Sequence, residues 1–458
     1  MPISRALVLA GLLAAAPLRT ASSQSLAAQY RPAADSIIAA ALRDSSAWNR
    51  LAELTDRFGH RHSGSDALEH AIDWIIAQMQ RDGLQNVRGE PVMVPHWVRG
   101  EESVMLVSPR PARLAMLGLG NSIGTPRGGI EAEVLVVSSF DELTRRAAEA
   151  RGKIVLFDVP FTGYGQTVRY RTGGAVAAAR VGAVASLIRA VAAYSIRSPH
   201  TGVMQYDSTV TRIPAAALSV EDAMMLHRMV DRGERVVVRL TMGAQTLPDA
   251  PSRNVMGELV GRERPQEVIV LGGHIDSWDV GAGAMDDAGG VVVSWEAVRL
   301  LQRLGLRPRR TIRVVGWTNE EDGSRGGLAY RDAHRAELGD HVLAFESDGG
   351  VFRPRGFGFS GSDSARALIR QIASLLQPIG ADSVSPGGNG ADIGPIVQLG
   401  VPGMAPNVDG ARYFWFHHSD GDTVDKLDAR EMAQCVAAFA VMMYVVADMP
   451  DRLPRAAP

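Results

Sequence analysis

The 458-residue chain sets 48 Lys and Arg against 50 Asp and Glu, a formal net charge of -2, which removes any electrostatic case for nucleic acid or an anionic membrane as partner. Its 46% hydrophobic and 21% charged residues are those of a soluble globular protein, and the length predicts about two or three domains. Cys435 is the single cysteine, so an intramolecular disulfide and a thiolate metal cluster are both excluded, and any metal must be held by His, Asp and Glu.

In chain order, Arg5 precedes an apolar run at 6–16 and small residues at 20–23. This is the pattern of a secretory signal peptide over 1–23, with an apolar run too short for a membrane span. The mature chain is therefore expected to be secreted or periplasmic and to have no membrane span. Residues 24–46 read as a mobile leader or propeptide followed by a short helix. The turn at 58–65 carries His60 and His62, which have no carboxylate at ligand spacing and read as exposed loop histidines. Ala67, Ala71, Trp74, Ile75 and Met79 recur at helical spacing, and Gly83 ends that helix. Strand candidates at 87–94 and 104–119 complete the first part of one domain, 47–128.

From about residue 130 short strands (134–137, 154–157, 183–188, 213–218, 236–240) with their own turns predict a separate module over 129–243. It holds no close cluster of His and carboxylates. In 244–450, strand candidates at 268–271, 311–317 and 342–346 alternate with helices at 291–304, 326–338 and 365–376. That alternation predicts an α/β fold with a mixed, largely parallel sheet covered by helices on both faces, interrupted by the module. Cys435 lies in an apolar helical pattern at 432–446 and reads as core; 451–458 is a tail.

The chain is organised around 268–290. A β-branched run without polar alternation suggests a strand buried on both faces, and Gly272 and Gly273 then deliver His274 and Asp276. Open α/β sheets place their sites at such strand ends. Met285, Asp286 and Asp287 follow, before a helix. The Gly281-Ala282-Gly283 turn is no dinucleotide fingerprint, because Asp286 stands where the third glycine is needed. Two further strands deliver Glu320 with Glu321, and Glu346 with Asp348, while an aromatic run presents His417 and His418. Each piece alone is weak, since carboxylate pairs favour helix starts. Together they supply imidazole and carboxylate donors in numbers that suit two divalent cations sharing a bridging carboxylate.

The runs 273–277, 285–287, 319–321 and 346–348, with His418 through Thr423, resemble the motifs of metallopeptidase family 28, exopeptidases with two co-catalytic zinc ions. The likeness extends over nearly the whole mature chain, and the module at 129–243 resembles a β-rich protease-associated domain in Arg151 to Val155 and Ile213 to Ala216. The resemblance implies the zinc-exopeptidase fold and two Zn2+ per chain. His274 and Asp348 would complete one zinc site, Glu321 and His418 the other, and Asp286 would bridge them. Glu320 would be the general base and acid, Asp276 would orient His274 from behind, and Asp287 would not be a ligand. His417 occupies a position where many members of the family have Tyr, and is a candidate oxyanion donor. The expected substrate is a short peptide, an unblocked dipeptide first and longer aminopeptidase substrates second, with a metal-free receptor as the contrasting class. The resemblance also implies a homodimer. Arg412, Asn389 and Tyr413 are candidates for binding a substrate carboxylate.

Overall fold

The computed structural model describes residues 25–456; the signal-peptide reading of 1–23 lies outside them. Eight strands form the first sheet. Its centre runs Arg310–Trp317, Arg264–His274, His341–Glu346, Gly403–Val408, all parallel. Antiparallel pairings extend it at both sides, through Gln245–Leu259 to Gln85–Val98 on one and to Pro354–Ser360 on the other, where the short Ser383–Pro386 adds a parallel edge strand. The sheet is therefore mixed with a parallel core, as the alternation of strands and helices predicts.

The central strands Arg310–Trp317, Arg264–His274 and His341–Glu346 are mostly buried because both their faces are covered. Every residue of Arg310–Trp317 and of His341–Glu346 is buried. On one face pack the helices Leu26–Ala41, Asp66–Arg81, Gly289–Arg303 and Ala429–Asp448; on the other, Tyr330 of Arg325–Ala333 packs with Ile393 and Ile396 of the segment around Gly394–Val397. The helix Ala429–Asp448 is long and apolar enough to cross a membrane by length and composition, with mean hydropathy 1.4, but it lies within the core. Cys435 is fully buried in it, and its Sγ donates to Phe352 O.

The stretch 24–46 differs from the sequence expectation. Most of it is the helix Leu26–Ala41, capped by Ser25, with Tyr30, Ala34, Ile37, Ile38 and Ala41 buried in the core. Tyr30 Oη donates to Asp448 Oδ2 at 3.0 Å, joining the helix to the far end of the chain. Pro32 inside the helix and the alanines spread around it blur the apolar stripe in the sequence.

The second domain is an eight-stranded sheet with its own two cores. Its first strands are Glu102–Ser108, Ala112–Leu114 and Met116–Gly118, so it begins near residue 100 rather than at 129. Glu102–Ser108 pairs with Val237–Met242, the last strand of that domain. Pairing across 130 residues of sequence is invisible to local periodicity. The antiparallel pair Gln85–Val98 and Gln245–Leu259 leads out of the first sheet and back into it. It anchors the two ends of the second domain side by side.

Candidate active site

Parallel pairing brings the carboxyl ends of the central strands to one edge, with His274 opposite Trp317 and Gly272 opposite Glu346. The residues just past those ends are the predicted donors. His274 Nε2 lies 3.1 Å from Asp286 Oδ1 and 3.6 Å from Asp348 Oδ1. His418 Nε2 lies 3.2 Å from Asp286 Oδ2 and 3.0 Å from Glu321 Oε2. Asp286 thus stands between two groups, each with one imidazole and one further carboxylate. Apart from the partly exposed Asp348, these donors are buried.

The framework behind them is built from buried hydrogen bonds. His274 Nδ1 donates to Asp276 O at 2.8 Å, which turns Nε2 toward the carboxylates. The Asp276 side chain does something else: it accepts Glu320 N–H at 3.0 Å and Glu321 N–H at 3.3 Å. The expected support of His274 therefore comes from the Asp276 carbonyl, while its carboxylate sets the Glu pair. Asp287 accepts His274 N–H at 3.1 Å and Gly290 N–H at 3.2 Å. Though it lies within reach of His274 and Asp348, its oxygens are used as a helix-start cap, as its place in the sequence predicts.

Three groups in this framework have no role read from the sequence, although Asp422 lies within the motif run 418–423. Asp422 accepts the N–H groups of Ala284 (3.1 Å), Met285 (2.7 Å) and Asp286 (3.2 Å), and so fixes the turn that presents Asp286. Arg61 is fully buried and donates to Gly59 O, Ile275 O, Ala282 O and Gly283 O, stapling the loop after the His274 strand. Asp392 has both carboxylate oxygens buried without a partner, beside Glu346, whose Oε2 accepts Asp392 N–H. In the same region His62 departs from its expected exposure. It is 4% exposed, packed between Trp97 and Trp278 with Nε2 3.8 Å from Asp322. A turn that reads as polar in sequence is covered by two aromatic rings brought from elsewhere. His60 is exposed, as expected.

The electrostatics ask for positive charge. Burial pushes Glu321 up to about 7 against the pull of His418. Burial, then Asp348, does the same to Glu346, and burial, then Asp286, to Asp422, each to about 7. Burial also raises Glu320 well above the ordinary carboxylate range. Burial alone would lower His418, but Glu321 and Asp286 outweigh it and hold it at about 9. Acids that retain protons beside imidazoles that gain them are a donor set short of cations. Glu321 Oε1 is buried without a partner, and Asp286 Oδ2 makes no hydrogen bond of good geometry. His and carboxylate donors of this kind fit zinc, and the arrangement fits two ions on either side of Asp286.

Glu320, Glu321, Asp286, Asp348, His417 and His418 line a cleft of about 680 Å³ whose opposite wall comes from the second domain, including Asn121, Tyr164, Arg171 and Gln205. His417 stacks on His418 with ring centroids 3.5 Å apart and Nε2 3.5 Å from Asp286 Oδ2. Of the carboxylate-binding candidates, Tyr413 lines the cleft, whereas Arg412 turns toward Glu431 at 3.8 Å and Asn389 is exposed outside it.

A parallel sheet with clustered imidazoles and carboxylates at its carboxyl edge, and a further acid facing the cleft, defines the class of metal-dependent hydrolases. Residues 254–443 match peptidase family M28. The chain is 51% identical to carboxypeptidase Q of Mus musculus over 431 residues, covering 93% of this chain and 92% of that protein. It is 52% identical to carboxypeptidase Q of Homo sapiens over 408 residues, 89% and 86% of the two. The crystal structure of a peptidase M28 precursor from Shewanella amazonensis SB2B superposes with a TM-score of 0.90 at 35% identity, covering 94% of this chain and all of that one. The chain belongs to peptidase family M28 and is a metallopeptidase.

Proposed function

We propose that the chain is an exported zinc-dependent exopeptidase that holds two co-catalytic ions and hydrolyses short peptides, unblocked dipeptides above all. The observation that carries this reading is Asp286 standing between the His274–Asp348 and His418–Glu321 pairs, at the wall of a cleft that Glu320 also faces. Zinc bound by these residues acidifies water and polarises a carbonyl. Glu320, held through its N–H by Asp276, takes the proton of the attacking water and returns it to the leaving amine. A raised affinity for protons suits that return step. His417, buried and held neutral first by burial and then by His418, is the proposed hydrogen-bond donor to the developing oxyanion. The second domain, read as a protease-associated module, closes the cleft to long substrates, and the active assembly is read as a homodimer.

The mouse and human relatives are named carboxypeptidases, which favours recognition of a free substrate carboxylate over broader aminopeptidase action. Mass spectrometry of digests of free dipeptides, N-acetylated and C-amidated dipeptides and longer peptides separates the two. Cleavage confined to free dipeptides is expected; equal cleavage of C-amidated and longer peptides establishes the aminopeptidase instead. In the same assay Glu320→Gln should retain zinc and lose about 10²–10⁴-fold or more in kcat. Substantial turnover by that variant removes Glu320 from its role.

A further inference from the structure

The segment that carries His417 and His418 is stitched to the second domain. Ala193 N–H donates to Phe414 O at 3.0 Å, Thr201 N–H to His418 O at 2.9 Å, and the His200 ring, through Nδ1, to His417 O at 2.6 Å. A further link reaches the imidazole itself. Thr201 O lies 3.4 Å from His418 Nδ1 and 3.4 Å from Arg171 Nη1. With a cation held at Nε2, which faces Asp286 and Glu321, the ring proton of His418 would sit on Nδ1, with the Thr201 carbonyl 3.4 Å away as its acceptor.

Arg171 is buried, and its polar partners are neutral: Thr201 O, Val203 O at 3.3 Å and the Tyr164 hydroxyl at 2.9 Å. A buried guanidinium is costly unless its donors are used. Here they clamp the 201–203 backbone against the imidazole, with Nη1 3.3 Å from His418 Nδ1. Gly202 makes the close approach feasible. Its φ is +130°, and a Cβ there would fall 2.2 Å from Arg171 Nη1 and 2.7 Å from His418 Nδ1. His418 sits at φ +61°, a left-handed conformation that a histidine keeps only where its surroundings fix it.

We infer that Arg171 is a positioning residue for His418: through the Thr201 carbonyl it fixes the imidazole, so that the second domain is part of the metal centre and not only a cover over it. The inference rests on the proposed ion at Glu321 and His418. Partners that orient a metal-binding histidine typically govern metal affinity by about 10–100-fold.

The test compares wild type, Arg171→Ala and Arg171→Lys. Zinc affinities are measured by chelator competition, amide hydrogen exchange across 413–422 is followed in the metal-free protein, and kcat and KM are measured on a free dipeptide. Arg171→Ala should weaken the second zinc by about 10–100-fold, leave the first unchanged and speed exchange across 413–422, and its kcat should recover in excess zinc. Arg171→Lys, which can still donate to Thr201 O, should restore part of each. Two ions bound with native affinity and unchanged exchange would overturn the inference. So would a raised KM with zinc binding left native, because Arg171 would then be a substrate-binding group. If Arg171→Ala does not fold, Arg171→Lys and Tyr164→Phe carry the same comparison. A wild-type chain that binds fewer than two ions refutes the two-ion reading, and the exchange data still decide the clamp.

Discussion

Replacing Asp422 separates the scaffold of the site from its donors. The Asp422 carboxylate holds three consecutive N–H groups, those of Ala284, Met285 and Asp286, at 3.1, 2.7 and 3.2 Å. Asp422 is 3% exposed, so water cannot replace it without rearrangement. Leaving a buried donor unsatisfied costs about 1–3 kcal/mol, so Asp422→Ala, which strands three of them, should cost about 3–9 kcal/mol, a large part of a typical domain's stability. Asp422→Asn is gentler. Its amide oxygen can keep the two donors that Oδ1 holds, but its NH₂ then faces Asp286 N–H, donor against donor. About 2 kcal/mol is expected for that one broken contact. The damage falls on the turn that orients Asp286, so zinc affinity should drop about 10–100-fold although Asp422 itself is not a proposed ligand. Urea unfolding of the chelator-treated protein and zinc competition, both at pH 8 where Asp422 is ionised, measure the two effects. Native zinc affinity and native kcat in Asp422→Asn would refute the claim that these bonds set Asp286.

The helix Leu26–Ala41 supplies a second test, because its burial makes it a structural element and not a dispensable leader: Ile37→Ala, at a fully buried position, should cost about 2–5 kcal/mol in urea unfolding, and a cost under 0.5 kcal/mol would show the helix to be detachable. His341 supplies a pH test. Burial lowers it to about 4, with Nδ1–H donating to Glu337 O and Nε2 accepting from the Tyr330 hydroxyl. The unfolded chain binds a proton near pH 6.5 that the folded chain refuses until about 4, so this residue's contribution is present above 6.5 and is lost as pH falls toward 4, with a ceiling of about 3 kcal/mol. His341→Gln should flatten the acid limb of a stability-against-pH curve, and an unchanged slope would refute the assignment. For His417→Ala, a kcat/KM equal to wild type would remove the oxyanion role, whereas a fall of about 10²–10³-fold in kcat is expected if it holds.

The sequence was most legible where chemistry and period coincide. A strand buried on both faces is largely apolar, so the polar residues clustered at its end, His274 and Asp276, stand out as candidates, as do Glu320, Glu321, Glu346 and Asp348. The proposed donors past those strand ends are candidates that gain weight only together, and Asp286 and His418 lie outside the strands. Their supports do not stand out. Arg61 and Asp422 are ordinary charged residues in turns, and their value comes from backbone groups 214 and 136 residues away, a distance over which periodicity says nothing. His62 read as exposed because the rings that bury it, Trp97 and Trp278, belong to other segments.

The boundary of the second domain shows the same physics at larger scale. Glu102–Ser108 looks like one more strand of the first domain until it pairs with Val237–Met242, and that pairing moves the boundary back by nearly thirty residues. The consequence reaches the site. Gly118 and Thr201 meet through a 2.7 Å hydrogen bond from Thr201 Oγ1 to Gly118 O, so the strands misassigned from local pattern help seat the loop that touches His418. A module with no cluster of donors of its own still governs the centre, because a metal site needs its imidazoles aimed as well as present. Aim is set by carbonyls such as those of Asp276 and Thr201, and a backbone carbonyl leaves no mark in the identity of the residue that carries it.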